Sequence, residues 1–86
     1  MLEKIKLSLR LITEEFNTEI ESLIAACKRD LNVGGVKNID EEDPLILRAI
    51  TLYCKGHFGY ADIGEKYLQA YESLKNALYM EGLTKP

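Results

Sequence analysis

The chain carries one histidine, His57, and two cysteines, Cys27 and Cys54. These are its side chains best suited to hold a metal or attack a carbonyl. Cys54 lies three residues before His57, so a single helical turn sets both on one face. With Cys27 they form a conceivable set of three zinc ligands. Structural zinc sites, however, use paired CxxC or HxxxH spacing, and neither occurs here. A nucleophilic Cys–His pair needs an exposed thiol of lowered pKa and a third group to orient the base. Cys54 instead follows Leu52 and Tyr53 in the most apolar segment of the chain, which argues for inertness. Near a helix end, His57 more simply meets the terminal carbonyls. Both cysteines read as small buried hydrophobes rather than a disulfide framework.

Other candidates fare no better. Glu14, Glu15, Glu19 and Glu21 could be paired acid–base carboxylates, but their crowding at a helix start already has a capping and dipole explanation. Gly34-Gly35 and Gly56 with Gly59 lack the surroundings of a phosphate-binding loop. The expectation is therefore a protein with no catalytic residues, no metal and no cofactor.

The elements that position these residues read as helical. Asp43-Pro44 has the form of an N-cap followed by proline at the first helical position. The run Leu45, Ile46, Leu47, Ala49, Ile50, Leu52, Tyr53 and Cys54 leaves only a narrow polar stripe of Arg48, Thr51 and Lys55. A helix apolar on nearly every side belongs in the centre, and Gly59 is its natural stop. Upstream, Phe16, Ile20, Leu23, Ile24, Cys27 and Leu31 form one apolar stripe, ended by Gly34-Gly35. That helix starts between Thr13 and Thr18. Thr13 can cap a start at Glu14, and Thr18-Glu19-Ile20-Glu21 has the form of a capping box. Lys28 and Arg29 complement the dipole at its far end.

Between Gly34 and Glu42 lies a loop in which Val36 and Ile39 should tuck inward. Asp62-Ile63-Gly64-Glu65 repeats the capping-box form. The last helix then carries Tyr67, Tyr71, Leu74 and Leu78 on one face, with Leu68 beside it, and Lys66, Gln69, Glu72, Lys75 and Asn76 outside. The tail from Gly82 to Pro86 is expected to fray. The first segment is ambiguous. Ile5, Leu7, Leu9 and Leu11 alternate like a strand, while Leu2, Ile5, Leu9 and Ile12 recur at helical spacing. A lone strand would leave its backbone unpaired, so helix is preferred. The fold class is thus all-α: one domain over residues 1–86, a compact bundle of three main helices plus a short N-terminal one.

Composition sets the bounds. A chain of 86 residues is a single small domain, marginal unless its helices pack well or its copies associate. A net charge of −3 does not suggest a nucleic-acid surface. No apolar run approaches ~18 residues, so no membrane span is expected. The N-terminus lacks a signal-peptide pattern, which makes the cytoplasm the default compartment.

The segment LYCKGHFGY, preceded by a proline-led apolar helix and followed by an acidic turn and YLQAYESLKNAL, resembles the small head–tail connector proteins of long-tailed phages and prophages. That family is often labelled head-completion or DNA-packaging. LEKIKLSLRLITEEFNTEIESLIAACKRDL is similar to its N-terminal pattern, so the resemblance spans roughly Leu2 to Tyr79. It implies a structural virion protein whose copies form a ring, in the neck of the particle and in host cytoplasm during assembly. Such a ring extends the DNA channel and helps retain the genome. The implied partners are further copies of the chain (which can be monomeric when isolated), the portal protein, and the tail or next adaptor. DNA passes through without specific binding. Two features depart from the family. The segment after Gly82 is short for gripping a portal. Gly56 sits inside the central helix, where glycine costs about 1 kcal/mol relative to alanine; it either admits a close-packed helix or marks a bend.

Within that resemblance, a ring needs one patch to meet a different patch on its neighbour. The polar face of the second helix (Glu19, Lys28, Arg29) against the outer face of the last (Lys66, Glu72, Lys75) is the expected pairing. The run Asp40, Glu41, Glu42 and Asp43 has two readings: a solvated loop that caps the next helix, or a negative wall of the channel that keeps DNA from sticking. Tyr53, Tyr60, Tyr67, Tyr71 and Tyr79 are read as core residues with hydroxyls reaching water, some of them at a subunit interface. The alternative function is a small helical DNA-binding or regulatory module. It needs a recognition helix, for which the last helix offers only Lys66, Gln69, Lys75 and Asn76.

Overall fold

The computed structural model describes residues 1–58 and 63–84. Its helices are α1 (Leu2–Leu9), α2 (Asn17–Val33), α3 (Pro44–His57) and α4 (Gly64–Thr84). The described residues contain no strand. Burial explains how the ambiguous first segment resolves. Ile5 and Leu9, one turn apart, are buried against the core, whereas Leu7, their neighbour in the alternating pattern, is 75 % exposed.

Each helix end has an identifiable cause. The Asp43 carboxylate accepts from the Leu45 N–H at 2.9 Å, with Pro44 in the first turn of α3. α1 and α2 end in the same six-residue closure. The Val36 N–H donates to the Leu31 carbonyl at 2.9 Å, and Gly35 to Asn32 at 3.0 Å; at α1, Leu11 donates to Lys6 at 2.9 Å and Arg10 to Leu7 at 3.1 Å. The pivot residue is left-handed in both: Gly35 at φ 96°, and Arg10 at φ 60°. Val36, just beyond the α2 pivot, turns inward and is buried, and Ile39 packs against the core behind it.

Neither Thr13 nor Thr18 caps α2. The helix begins at Asn17 behind Phe16, which makes no side-chain cap, and Thr18 lies inside it. Packing overrides capping propensity here: the Phe16 ring meets Phe58 edge-on, centroids 5.3 Å apart, and pins the start of α2 to the end of α3. α3 ends at His57, where the Phe58 N–H donates to the Cys54 carbonyl at 2.9 Å. Gly59, the expected stop, and Asp62, the expected cap of α4, lie outside the described residues. Gly82 does not end α4, which runs through it to Thr84, and the rest of the tail lies outside the described residues. The Tyr79 ring, closely seated on Gly35, ties these last turns to the end of α2.

α3 is central and packs against each of the other three helices. Ile46, Ala49 and Ile50 on α3 share one core with Ile5, Ile20, Leu31, Tyr71 and Leu78 from the other helices. Each large aliphatic side chain so removed from water contributes about 1.5–3 kcal/mol. Gly56 admits a helix rather than marking a bend. A Cβ there would lie 2.5 Å from Leu68 Cγ and 3.2 Å from the Gly64 carbonyl, so glycine lets the start of α4 close onto α3.

Candidate assembly surfaces

One polar cluster joins α2 to α4. Asp30 follows Cys27 by one turn and therefore borders the apolar stripe of α2. The Tyr71 hydroxyl donates to Asp30 Oδ2 at 2.5 Å, and Lys75 Nζ donates to the same oxygen at 3.1 Å. Lys75 also pairs with Glu72 at 3.0 Å, and its ammonium lies 5.4 Å from the Tyr71 ring centroid. Tyr71 packs edge-on against Tyr53, whose ring is 4.4 Å from that of His57. The Tyr71 hydrogen bond, with help from Lys75, holds the Asp30 carboxyl below its ordinary range despite partial burial. Burial and the bond to Asp30 push the Tyr71 hydroxyl well up, so it stays a neutral donor. Burial works against the Lys75 charge, but its bonds to Glu72 and Asp30 outweigh it and raise its pKa.

This cluster changes two readings. Tyr71 is 1 % exposed, so its hydroxyl meets Asp30 rather than water. Lys75 does not stand on an outer face; only 15 % of its side chain is exposed, because it folds across Tyr71 toward Asp30. Glu72 is engaged with it. Lys28 reaches Glu41 of the α2–α3 loop at 2.5 Å. Of the six charges assigned to an interface, Glu19, Arg29 and Lys66 remain exposed with no ion pair among the described residues.

The acidic run is a built turn. Asp40 accepts from the Glu42 N–H at 2.9 Å, Asp43 caps α3, and Glu41 is tied to Lys28. That bond and the ammonium charge hold the Glu41 carboxyl below its ordinary range. Glu42 alone makes no side-chain bond among the described residues.

Burial pushes the thiols of Cys27 and Cys54 up to about 12. Cys54 is fully buried while His57 is exposed, so the pair diverges instead of converging on one site. Among the described residues, no three His, Cys, Asp or Glu side chains are grouped to hold a metal. None of the described helices is long and apolar enough to cross a membrane.

Apolar features escaped the sequence reading. A groove of about 430 Å³ and mixed character lies between the α2–α3 loop and the last turns of α4, lined by Val36, Ile46, Leu78 and Leu83 together with Lys37 and Glu81. Leu83 is 61 % exposed, and Met80 on the same helix is 58 % exposed. At the other end of α2, the loop after α1 carries Ile12, 94 % exposed. Glu14 anchors this loop, its carboxylate paired with the buried Lys6 at 3.6 Å and bonded by the Asn17 amide.

The family model described as "Phage connector protein" matches residues 1–82. No curated protein and no solved structure matches the chain.

Proposed function

The chain belongs to the phage connector protein family, and on that premise we propose that it is a head–tail connector. Its copies form a ring between portal and tail, in the virion neck, after assembly in the host cytoplasm. The ring extends the DNA channel and helps retain packaged DNA. Its work is done by surfaces and symmetry, and no catalytic residue is assigned.

The observation that carries this reading is the family match over residues 1–82. The side-chain chemistry agrees with it. Both thiols are buried and raised, and the ionised cluster around Asp30 joins two helices rather than lining a cleft. Glu19 on α2, facing Lys66 of a neighbour, supplies an opposite-charge pair that sets the register of the ring more than its affinity, and Arg29 stays exposed on the same helix. Lys28, Glu72 and Lys75 shape those faces from within the chain. The turn at Asp40, Glu41, Glu42 and Asp43 lines the channel, with Glu42 presenting the freest negative charge. Repulsion of phosphates there lets DNA slide without binding.

Deletion of the gene from its host element, induction, and electron microscopy of the lysate test the role. Separate heads and tails, joined again when the protein is supplied, are the expected result. Intact infectious particles from the deletion would refute it.

A further inference from the structure

We propose that α2 of one copy packs parallel to α4 of the next, with Glu19, Ala26 and Val33 set against Lys66, Ser73 and Met80. This rests on the connector reading above and deepens it. The Glu19–Lys66 pair fixes one end of the contact, and an apolar pair, Val33 with Met80, anchors the other.

The two stripes carry matching residues in the same order. Each recurs every seven residues, which is two helical turns less about 20°, so its members stand nearly in line. All six side chains are exposed. Glu19 and Lys66 have no ion-pair partner among the described residues. Ala26 and Ser73, in the middle, are small enough to let the two helices approach closely. Val33 is 77 % exposed on the last turn of α2, and Met80 stands equally open on α4 beyond its middle. Lone exposed aliphatic side chains are ordinary on protein surfaces. These two differ because each lies two heptads beyond one member of an opposite-charge pair.

Charge decides the direction. Antiparallel packing would set Val33 against Lys66 and Met80 against Glu19, desolvating both charges on apolar side chains. It would also bring Arg29, one turn before Val33, up to Lys66. Parallel packing avoids both costs, since Gln69, Asn76 and Ala77 beside the α4 stripe carry no charge. The fold already runs these helices the same way. Within one chain Asp30 bonds Tyr71 and Lys75, and Gly35, further along, lies against Tyr79. Rotation about an axis along the helices preserves that direction. A closed ring has no rise, so it also keeps the two helices level. The proposed register departs from the level within one chain by about one turn, ~5 Å, which the long Lys66 and Met80 side chains can span. A face of α2 meeting a different face of α4 is heterologous, as ring closure requires.

The test replaces the native gene with Val33→Cys/Met80→Cys and oxidises purified particles. Both positions are exposed, and the native thiols are buried. A ladder of disulfide-linked multimers is expected, absent from either single variant and from Glu19→Cys/Met80→Cys. A ladder from that last variant alone would overturn the parallel direction. Dimers from a single variant would mean that like faces meet, and would overturn the contact. A lysine-reactive cross-linker reports the ring independently. A lysine ladder without a cysteine ladder would overturn this interface while the ring stands. No ladder from any reagent would overturn the ring and this contact with it. Glu19→Lys and Lys66→Glu, neither in the core, give a second reading. Each alone should lower particle titre about tenfold, and the double reversal should restore it. Failure of that rescue would also count against the contact.

Discussion

Removing the hydroxyl of Tyr71 tests the polar cluster at the smallest steric cost. Tyr71→Phe keeps the ring that packs on Tyr53 and deletes only the donor to Asp30. A hydrogen bond to a charged group is worth about 1.5–3 kcal/mol. The Asp30 side chain is 39 % exposed, so water takes up part of the vacated bond, and Lys75 keeps part of the compensation. The expected loss is therefore below that range, about 1 kcal/mol, which corresponds to a fall in Tm of about 4–8 °C for a domain this small. The pH dependence has a definite sign. The folded Asp30 pKa is depressed, so its contribution is present above the unfolded value of about 3.9 and is lost as pH falls through the folded value. The gap between wild type and Tyr71→Phe should therefore be widest near pH 7 and narrow below about pH 4. Circular-dichroism melts at several pH values read both quantities. A Tm within about 1 °C of wild type at pH 7, or a gap that widens on acidification, would refute the reasoning.

Gly56→Ala gains helix propensity but drives a methyl into Leu68 and the Gly64 carbonyl. It should cost about 1–3 kcal/mol in urea unfolding, with relief from an accompanying Leu68→Ala. Arg10→Gly relieves the left-handed pivot of α1 and should stabilise by roughly 0.5–1 kcal/mol in the same assay. Cys27 and Cys54, buried and with pKa values pushed up to about 12, should resist thiol reagents at pH 8 and react only on unfolding. Rapid labelling of the native protein would contradict that placement.

The bundle was legible because its signals are local. The proline-led cap at Asp43-Pro44, the glycine pair at 34–35 and the apolar stripes of α2 and α3 each specify structure within a few residues. The start of α2 at Asn17 falls within the expected range, but its cap was not legible, because Phe16 is fixed by Phe58, more than forty residues away in sequence, and such a contact outranks a threonine cap. Asp30 was missed for the same reason. Its place one turn beyond Cys27, on the edge of the apolar stripe, was the available signal. Its partners Tyr71 and Lys75 only become visible when α2 and α4 are brought together. Lys75 illustrates the converse error, since helical spacing puts it outside while a long flexible stem lets it fold inward. The groove beside the last turns of α4 belongs to no single segment, and Ile12 looked like one more residue of a helical stripe until α1 ended at Leu9.

The most direct measurement is an electron cryo-microscopy reconstruction of the neck of the assembled particle. A ring of four-helix protomers between portal and tail, with the Asp40–Asp43 turn lining the lumen, is the expected result. Absence of this chain from the neck would contradict the connector role, and a ring whose acidic turn faces outward would contradict its part in the channel.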